Sequence, residues 1–183
     1  MKRGLVLIDI QNDYFPGGNM ELVGMEQAGQ NAGLLLKEWR KRGFPVFHIQ
    51  HLSKRPGATF FLPDTKGAEI HKSVAPQSDE AIIEKSFPNA FRDTDLLNVL
   101  KESEVDEVVI CGAMTHMCVD ATTRAAFDLG FRCTVIEDAC ATRNLEYKGT
   151  TVEAGKVQAA FMAALAVPYA RVLSAKDFID KWA

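Results

Sequence analysis

One stretch decides the fold of this 183-residue chain: Val108-Val109-Ile110-Cys111-Gly112-Ala113-Met114-Thr115-His116-Met117-Cys118-Val119. An apolar run, then small residues, then helical spacing predicts a strand, a sharp turn and a helix. Cys118 is thereby placed at a helix N-terminus, at the carboxyl end of a strand, where the ligand crevices of open α/β sheets lie. The exposed N–H groups and the helix dipole at such a point favour a thiolate. Cys118 is therefore a candidate nucleophile.

Six short apolar runs predict strands. Most of the runs are nearly continuous in apolar residues, which is typical of strands covered on both faces of a parallel sheet. They span residues 4–10, 45–51, 81–85, 107–112, 132–137 and 170–173. Helical spacing between most of these runs predicts an α/β protein: a three-layer, doubly wound fold with a six-stranded, mainly parallel sheet.

Five segments carry a helical pattern. They are residues 27–41, a short helix around Leu96 to Leu100 capped by Asp93 or Thr94, and residues 118–129, 150–166 and 175–182. At this length we expect residues 1–183 to form one domain with a substantial core.

The composition limits the classes of partner. The chain is 47% hydrophobic and 25% charged, which is ordinary for a globular protein. A net charge of −3 without a basic stripe argues against a nucleic-acid partner. The apolar run after Lys2 and Arg3 is too short for a signal peptide and ends at Asp9, and no stretch is long enough to span a bilayer. We expect a cytoplasmic protein with no membrane partner, whose four cysteines are free thiols rather than a disulfide framework.

Residues 52–78 interrupt the alternation of strands and helices. This segment contains several prolines and glycines and the pair Phe60-Phe61. A long irregular excursion after a strand is often a lid or a pocket wall, and a plain surface loop or a subunit contact is the alternative. The pair Lys54-Arg55 within it would suit an acidic substrate, or is simply solvated.

Two charged residues at strand ends are candidate partners for Cys118. Asp9 ends the first strand, and a carboxylate after four apolar residues is costly to bury unless it is paired. Lys85 ends the third strand. If the first, third and fourth strands are parallel, all three residues lie at one edge of the sheet. The alternatives are a turn-forming Asp9, a surface Lys85, and a base supplied instead by His116, the commonest type of general base.

The chain resembles the isochorismatase-like cysteine hydrolase superfamily nearly from end to end. The resemblance rests on three blocks in order, followed by shorter matches at 122–126, 129–131 and 137–139. The blocks are Leu-Ile-Asp-Ile-Gln-Asn-Asp-Tyr-Phe at 7–15, Glu-Lys-Ser-Phe-Pro-Asn-Ala-Phe at 84–91, and Cys-Gly-Ala-Met-Thr-His-Met-Cys-Val at 111–119.

The resemblance implies a catalytic triad of Asp9, Lys85 and Cys118. It also implies a non-proline cis peptide at Ala113–Met114, which would turn the Met114 N–H toward the Cys118 N–H and so form an oxyanion hole. A homo-oligomer, a dimer or tetramer, is implied as well.

Members of this family that hydrolyse nicotinamide bind a metal through an Asp-x-His pair after the second strand. Here residues 48–52 read His-Ile-Gln-His-Leu, so that pair is absent, although His51 and His71 remain. We therefore expect no metal and no cofactor.

The predicted reaction is hydrolysis of a C–N bond in a small amide, ureide or carbamoyl compound through a thioester. Phe15, Phe91 and His116, together with the Phe60-Phe61 pair, are candidate pocket residues, because an aromatic wall suits a planar substrate. The alternatives are an isochorismatase-type vinyl-ether hydrolase and a non-catalytic binding protein on the same fold. A nucleotide binder ranks last, since neither a G-x-G-x-x-G nor a P-loop motif is present.

Overall fold

The structure, a computed structural model, describes residues 2–181. Six parallel strands form the central sheet, and two further strands form a separate antiparallel hairpin. The strands are β1 (Arg3–Ile8), β2 (Val46–His51), β3 (Ala81–Lys85), β4 (Glu107–Ala113), β5 (Arg132–Ala141), β6 (Leu145–Tyr147), β7 (Thr150–Val152) and β8 (Arg171–Leu173). All six predicted strands are confirmed, with shifts at their ends.

The strand order creates a crevice at one edge of the sheet. The order is β3-β2-β1-β4-β5-β8. From β1 the chain moves outward through β2 to β3, and then it returns to the other side of β1 as β4. This reversal is the topological switch point of a doubly wound sheet. Residues that follow β1 and β4 therefore face a shared crevice at the carboxyl edge.

Helices cover the sheet and complete the predicted three-layer fold. They are α1 (Met25–Arg42), α2 (Leu96–Glu102), α3 (Asp120–Asp128), α4 (Ala154–Ala166) and α5 (Ala175–Asp180). Helix α1 packs on α5, where the rings of Trp39 and Phe178 stack with centroids 5.5 Å apart, and α3 packs on α4. Before α2, the predicted cap Thr94 accepts a hydrogen bond from the Leu96 N–H at 3.3 Å. The last helix ends at Asp180, and the predicted Trp182 lies outside the described residues.

Helix α1 shows how the apolar spacing sets the packing. Its buried residues recur every three or four positions, including Ala28, Ala32, Leu35 and Trp39, so that one face lies on the sheet. Gly43 ends the helix at φ +66°, a conformation that glycine adopts without steric cost.

The predicted helix 150–166 is wrong in its first turn. Residues Thr150–Val152 form β7, which pairs antiparallel with β6, and α4 begins at Ala154. The β-branched side chains of this segment favour a strand. Lys148 and Gly149 between the strands both have positive φ, as a two-residue type I′ hairpin turn requires.

The predicted helix 118–129 is also wrong at its start. Residues Thr115–Val119 form a π-helical turn, and α3 runs only from Asp120 to Asp128. Cys118 therefore lies inside a widened turn before the helix, rather than at the first turn of α3. Such π-helical segments occur frequently at functional sites.

Two expectations from composition can be compared with the structure. All four cysteines are free thiols, as predicted, and all four are buried. Among residues 2–181, no helix combines the length and the apolar character that crossing a bilayer requires.

We expect Gly112→Ala to destabilise the fold severely. Gly112 has φ +124°, and a Cβ there would lie 1.9 Å from the carbonyl oxygen of Ile8 on the neighbouring strand. The free energy of unfolding, measured in urea, should fall by about 3 kcal/mol or more. Gly155→Ala is the matched control: a Cβ on this residue of α4 would have no heavy atom within 4 Å, and the change should be neutral or stabilising by up to about 1 kcal/mol. Equal effects of the two changes would contradict this account.

Candidate active site

Asp9, Lys85 and Cys118 come together at the carboxyl edge of the sheet. The ammonium Nζ of Lys85 lies 2.7 Å from Oδ2 of Asp9 and 3.3 Å from Sγ of Cys118. The three residues are 0%, 3% and 5% exposed, respectively. The structure thus joins, in one buried cluster, the acid, the amine and the thiol that the sequence placed at three strand ends.

The sheet register explains how Lys85 reaches this cluster. Lys85 is the last residue of β3 and pairs in register with His51, the last residue of β2. Its side chain therefore extends past the end of β2 toward β1. Asp9 follows β1 at φ +50°, a left-handed conformation that aspartate tolerates, and its N–H donates to the Ile49 carbonyl at 3.0 Å.

His51 is a fourth member of the cluster. Its Nδ1 lies 2.8 Å from Nζ of Lys85, and since an ammonium has only donors, Nδ1 is the acceptor. Burial and the Lys85 charge lower the pKa of His51 to about 4, so the ring is neutral at pH 7 and carries its proton on Nε2. The Gln11 amide fixes the His51 backbone, accepting from its N–H at 2.8 Å and donating to its carbonyl at 2.9 Å.

The cluster keeps its cysteine protonated at rest. Burial and the negative charge of Asp9 raise the pKa of Cys118 above its usual value, and Lys85 offsets this only in part. Burial alone would lower the pKa of Lys85, but the charge of Asp9 and the hydrogen bonds to Asp9 and Cys118 outweigh it and raise that pKa. These contributions outweigh any preference for a thiolate, and the thiol is the resting form. The other oxygen of Asp9, Oδ1, is buried without a hydrogen-bond partner among the described residues.

The same cluster contains groups that could bind a metal ion, but its charge does not suit one. Asp9, His51 and Cys118 offer ligand atoms within 4.8 Å of one another. The Lys85 ammonium contacts all three side chains, so a second cation does not fit among them. His71 belongs to a different contact, because its ring stacks on Phe15 and its Nδ1 lies 2.9 Å from Ser73 Oγ.

A cavity of about 300 Å³ opens above Cys118. Its apolar wall consists of Tyr14, Phe60, Phe87, Pro88, Met114 and Met117. Its polar lining consists of His51, Ser53, Lys54, Arg55 and Ser86, with Cys118 itself. The volume is at the lower end of ligand pockets and suits a small molecule.

The three candidate pocket residues lie elsewhere. Phe15 stacks on His71 with ring centroids 3.5 Å apart, and Phe91 packs on Phe131 at 6.3 Å. The Nδ1 of His116 lies 2.7 Å from Thr142 Oγ1. None of the three lines the cavity.

Aromatic residues that the sequence pattern did not single out take their place. Tyr14 lies next to Phe15 in the chain, and Phe87 lies two residues after Lys85, so both belong to the sequence blocks that carry the family resemblance. Burial, with the nearby Cys118 and Asp9, raises the pKa of Tyr14, which therefore presents a hydroxyl rather than a phenolate.

Part of the irregular segment 52–78 forms the cavity wall, through Ser53, Lys54, Arg55 and Phe60. Two short hydrogen bonds hold this part in place. The N–H of Ser53 donates to the Phe61 carbonyl at 2.8 Å, and the N–H of Phe61 donates to Oδ2 of buried Asp13 at 2.6 Å.

Met114 and Cys118 both line the cavity from the β4–α3 connection. The Ala113–Met114 peptide bond is cis. The carbonyl of Met114 accepts hydrogen bonds from the N–H groups of Met117 at 3.0 Å and Val119 at 3.3 Å, so the backbone on both sides of Cys118 is tied to Met114.

Comparison with known proteins gives a consistent picture. The isochorismatase domain model matches residues 3–167. The isochorismatase family protein YddQ of Bacillus subtilis (strain 168) is 50% identical over 179 residues, which cover 98% of this chain and 99% of that protein. The crystal structure of an isochorismatase-hydrolase candidate from Oleispira antarctica superimposes with a TM-score of 0.95 at 50% identity, covering 98% of this chain and 96% of that one.

More distant relatives include proteins named for an activity. The streptothricin hydrolase of Streptomyces noursei is 33% identical over 143 residues, which cover 78% of this chain and 51% of that protein. The nicotinamidase of Acinetobacter baylyi is 29% identical over 170 residues, which cover 74% of this chain and 79% of that enzyme.

We expect His51 to make stability depend on pH. Its pKa is about 4 in the folded protein, against a usual value of 6.5, so the unfolded chain binds the proton more tightly. The contribution of neutral His51 to the free energy of unfolding is complete above pH 6.5. It is lost as the pH falls toward 4, at up to about 1.4 kcal/mol per pH unit. The free energy of unfolding should be measured at several pH values for the wild type and for His51→Gln, which keeps an acceptor for Lys85. A difference between the two proteins that is constant with pH would contradict the neutral His51.

Proposed function

Since the chain belongs to the isochorismatase family, we propose that it is a cysteine hydrolase acting on a C–N bond of a small amide, ureide or carbamoyl compound. The observation that carries this proposal is the buried Lys85 ammonium, which contacts Asp9 at 2.7 Å and Cys118 at 3.3 Å. The relatives named as a streptothricin hydrolase and a nicotinamidase support the hydrolytic class.

In the first half-reaction Cys118 is acylated. Asp9 accepts the thiol proton as Sγ attacks the carbonyl carbon, so the nucleophile forms only during attack. Lys85 stabilises the negative charge shared between Asp9 and the sulfur. Asp9 then returns the proton to the substrate nitrogen, the C–N bond breaks, and ammonia or an amine leaves a thioester on Cys118.

In the second half-reaction water releases the product. Asp9 takes a proton from the attacking water, whose oxygen adds to the thioester carbon. The C–S bond breaks, the acid leaves, and the proton on Asp9 returns to Cys118. The cluster thereby regains its resting charges.

The oxyanion that forms in each half-reaction needs hydrogen-bond donors. We assign this role to the backbone N–H groups of Met114 and Cys118, both of which belong to residues that line the cavity. One such donor contributes about 10²–10³ in rate. A homo-oligomer, dimer or tetramer, stays a prediction from the family resemblance.

We expect Cys118→Ala to abolish hydrolysis, because no other group replaces the attacking sulfur. Ammonia release should be measured over nicotinamide, N-carbamoyl amino acids, biuret and simple aliphatic amides. Wild-type protein incubated with a slow substrate should show the mass of an acyl adduct on the peptide that contains Cys118.

Cys133→Ala is the matched control, because Cys133 is a buried free thiol outside the cavity. It should retain full activity. Activity that persists in Cys118→Ala would overturn covalent catalysis, and pyruvate release from isochorismate without ammonia release from any amide would favour the vinyl-ether alternative.

We expect Asp9→Asn to lower kcat by about 10²–10⁴, since it removes the proton acceptor. It should also lower the pKa of Cys118, because the carboxylate charge helps to raise that pKa. The pH dependence of Cys118 alkylation by iodoacetamide, followed by peptide mass, measures this shift independently of turnover. An unshifted alkylation profile in a folded variant would count against the assigned role of Asp9.

A further inference from the structure

We propose that the substrate carries an anionic group of the carboxylate class, which Arg55 and Lys54 bind at the mouth of the cavity. This inference rests on the proposed function and specifies its substrate. It follows from the charge of the cavity, from the unpaired state of these two cations, and from the turn that holds Arg55.

The lining of the cavity has an unbalanced positive charge. Among the described residues that line it, Lys54 and Arg55 are cations and none is an aspartate or a glutamate. Beneath Cys118, the charges of Lys85 and Asp9 compensate each other through their 2.7 Å contact. Lys54 also lines a neighbouring cavity that contains the carboxylates Glu84 and Asp93, so Arg55 is the cation left to act on the ligand, and it attracts an anion.

Neither of these cations is paired within the described part of the chain. Arg40, Arg124 and Arg171 each contact a carboxylate within 3.1 Å. Arg55 and Lys54 have no carboxylate within ion-pair distance among residues 2–181. A guanidinium with free donors is the side chain best suited to bind a carboxylate in a bidentate manner.

A defined turn holds Arg55 at the mouth. The Arg55 carbonyl accepts from the Ala58 N–H at 3.3 Å, and Gly57 between them has φ +76°. Proline at the second position and a positive-φ glycine at the third are typical of a type II turn. The wall residues on either side of this turn are held together, because the Ser53 N–H donates to the Phe61 carbonyl at 2.8 Å. The cation therefore starts from a fixed backbone position.

His51 continues the row of donors from Arg55 toward Cys118. Its Nδ1 accepts from Lys85, so the neutral ring has its N–H on Nε2, and His51 lines the cavity. Arg55 and His51 line the same cavity, and the charge of Arg55 adds to burial and Lys85 in lowering the pKa of His51. The polar side of the cavity thus offers hydrogen-bond donors to an acceptor-rich ligand.

The cavity is small enough that both groups must belong to one substrate molecule. About 300 Å³ holds one small molecule, so the scissile carbonyl at Cys118 and the anionic group at Arg55 belong to the same compound. The aromatic wall of Tyr14, Phe60 and Phe87 flanks the segment between them. The class is a small carboxylic acid that also carries an amide or a ureido group.

The test compares acids with their uncharged esters. N-carbamoylglycine and succinamic acid are each paired with their methyl ester, so the scissile group is the same within a pair. The wild type should favour the acid in kcat/KM by about tenfold or more, as expected for a charge-assisted contact. The preference should shrink as salt is raised, since the cations are exposed.

Arg55→Ala should lower kcat/KM for the acids by about tenfold, mainly through KM, and change the values for the esters by less than about twofold. Arg55→Lys should keep part of the preference, because it keeps the charge. Arg132→Ala is the matched control, since Arg132 is an exposed arginine at the opposite edge of the sheet. It should leave both substrates of each pair unchanged.

The outcomes separate this inference from the proposed function. Equal hydrolysis of acids and esters, or an Arg55→Ala variant that keeps the preference, overturns the inference and leaves the hydrolase standing. If none of the four compounds is turned over, calorimetry with the Cys118→Ala variant decides. The acids should bind this variant, and adding Arg55→Ala should weaken their binding. No binding of the acids, or equal binding of acid and ester, overturns the inference.

Discussion

The buried ammonium of Lys85 is the interaction on which the whole site depends. A charge without solvent is costly unless it is paired, and here Asp9 supplies the opposite charge at 2.7 Å while His51 accepts a second hydrogen bond at 2.8 Å. Removing one partner of such a buried pair typically costs about 3–5 kcal/mol. The groups to which the proposed mechanism assigns the activation of the thiol are therefore also groups that the folded state needs, so the proposal couples stability and reactivity at this edge.

The strand order makes this arrangement possible. Lys85 on β3 is two strands away from Asp9 after β1, and only a long side chain that passes the end of β2 joins them. His51 ends β2 and therefore stands between the two. Its neutral ring lets the ammonium pass at hydrogen-bond distance, whereas a protonated ring would repel it. The imidazole at the end of the middle strand thus serves as an uncharged acceptor.

Much of this could be predicted from the sequence, and the failures have physical causes. Near-continuous apolar runs identified the six strands of the sheet, and parallel strands bring Asp9, Lys85 and Cys118 to one edge. The choice between Tyr14 and Phe15 could not be made, because adjacent side chains in irregular backbone follow no period. Tyr14 faces the cavity and Phe15 faces His71. The β6–β7 hairpin was missed because each of its strands has only three residues, too few to show a strand period, and β7 directly precedes the helical pattern of α4.

The proposed mechanism starts from a buried, protonated Cys118, which becomes a nucleophile only during attack. Oxidation of cysteine follows its thiolate character and its exposure, and both are low here, since burial and Asp9 raise the pKa of the thiol. A permanent thiolate would add a second negative charge beside Asp9 in a site that holds one ammonium. Transfer of the proton to Asp9 during attack avoids that state, because the developing negative charge moves onto the substrate oxygen as the sulfur bonds to carbon. In the proposed mechanism, the same negative charge of Asp9 that suppresses the resting thiolate thus makes this residue the proton acceptor at the moment of attack.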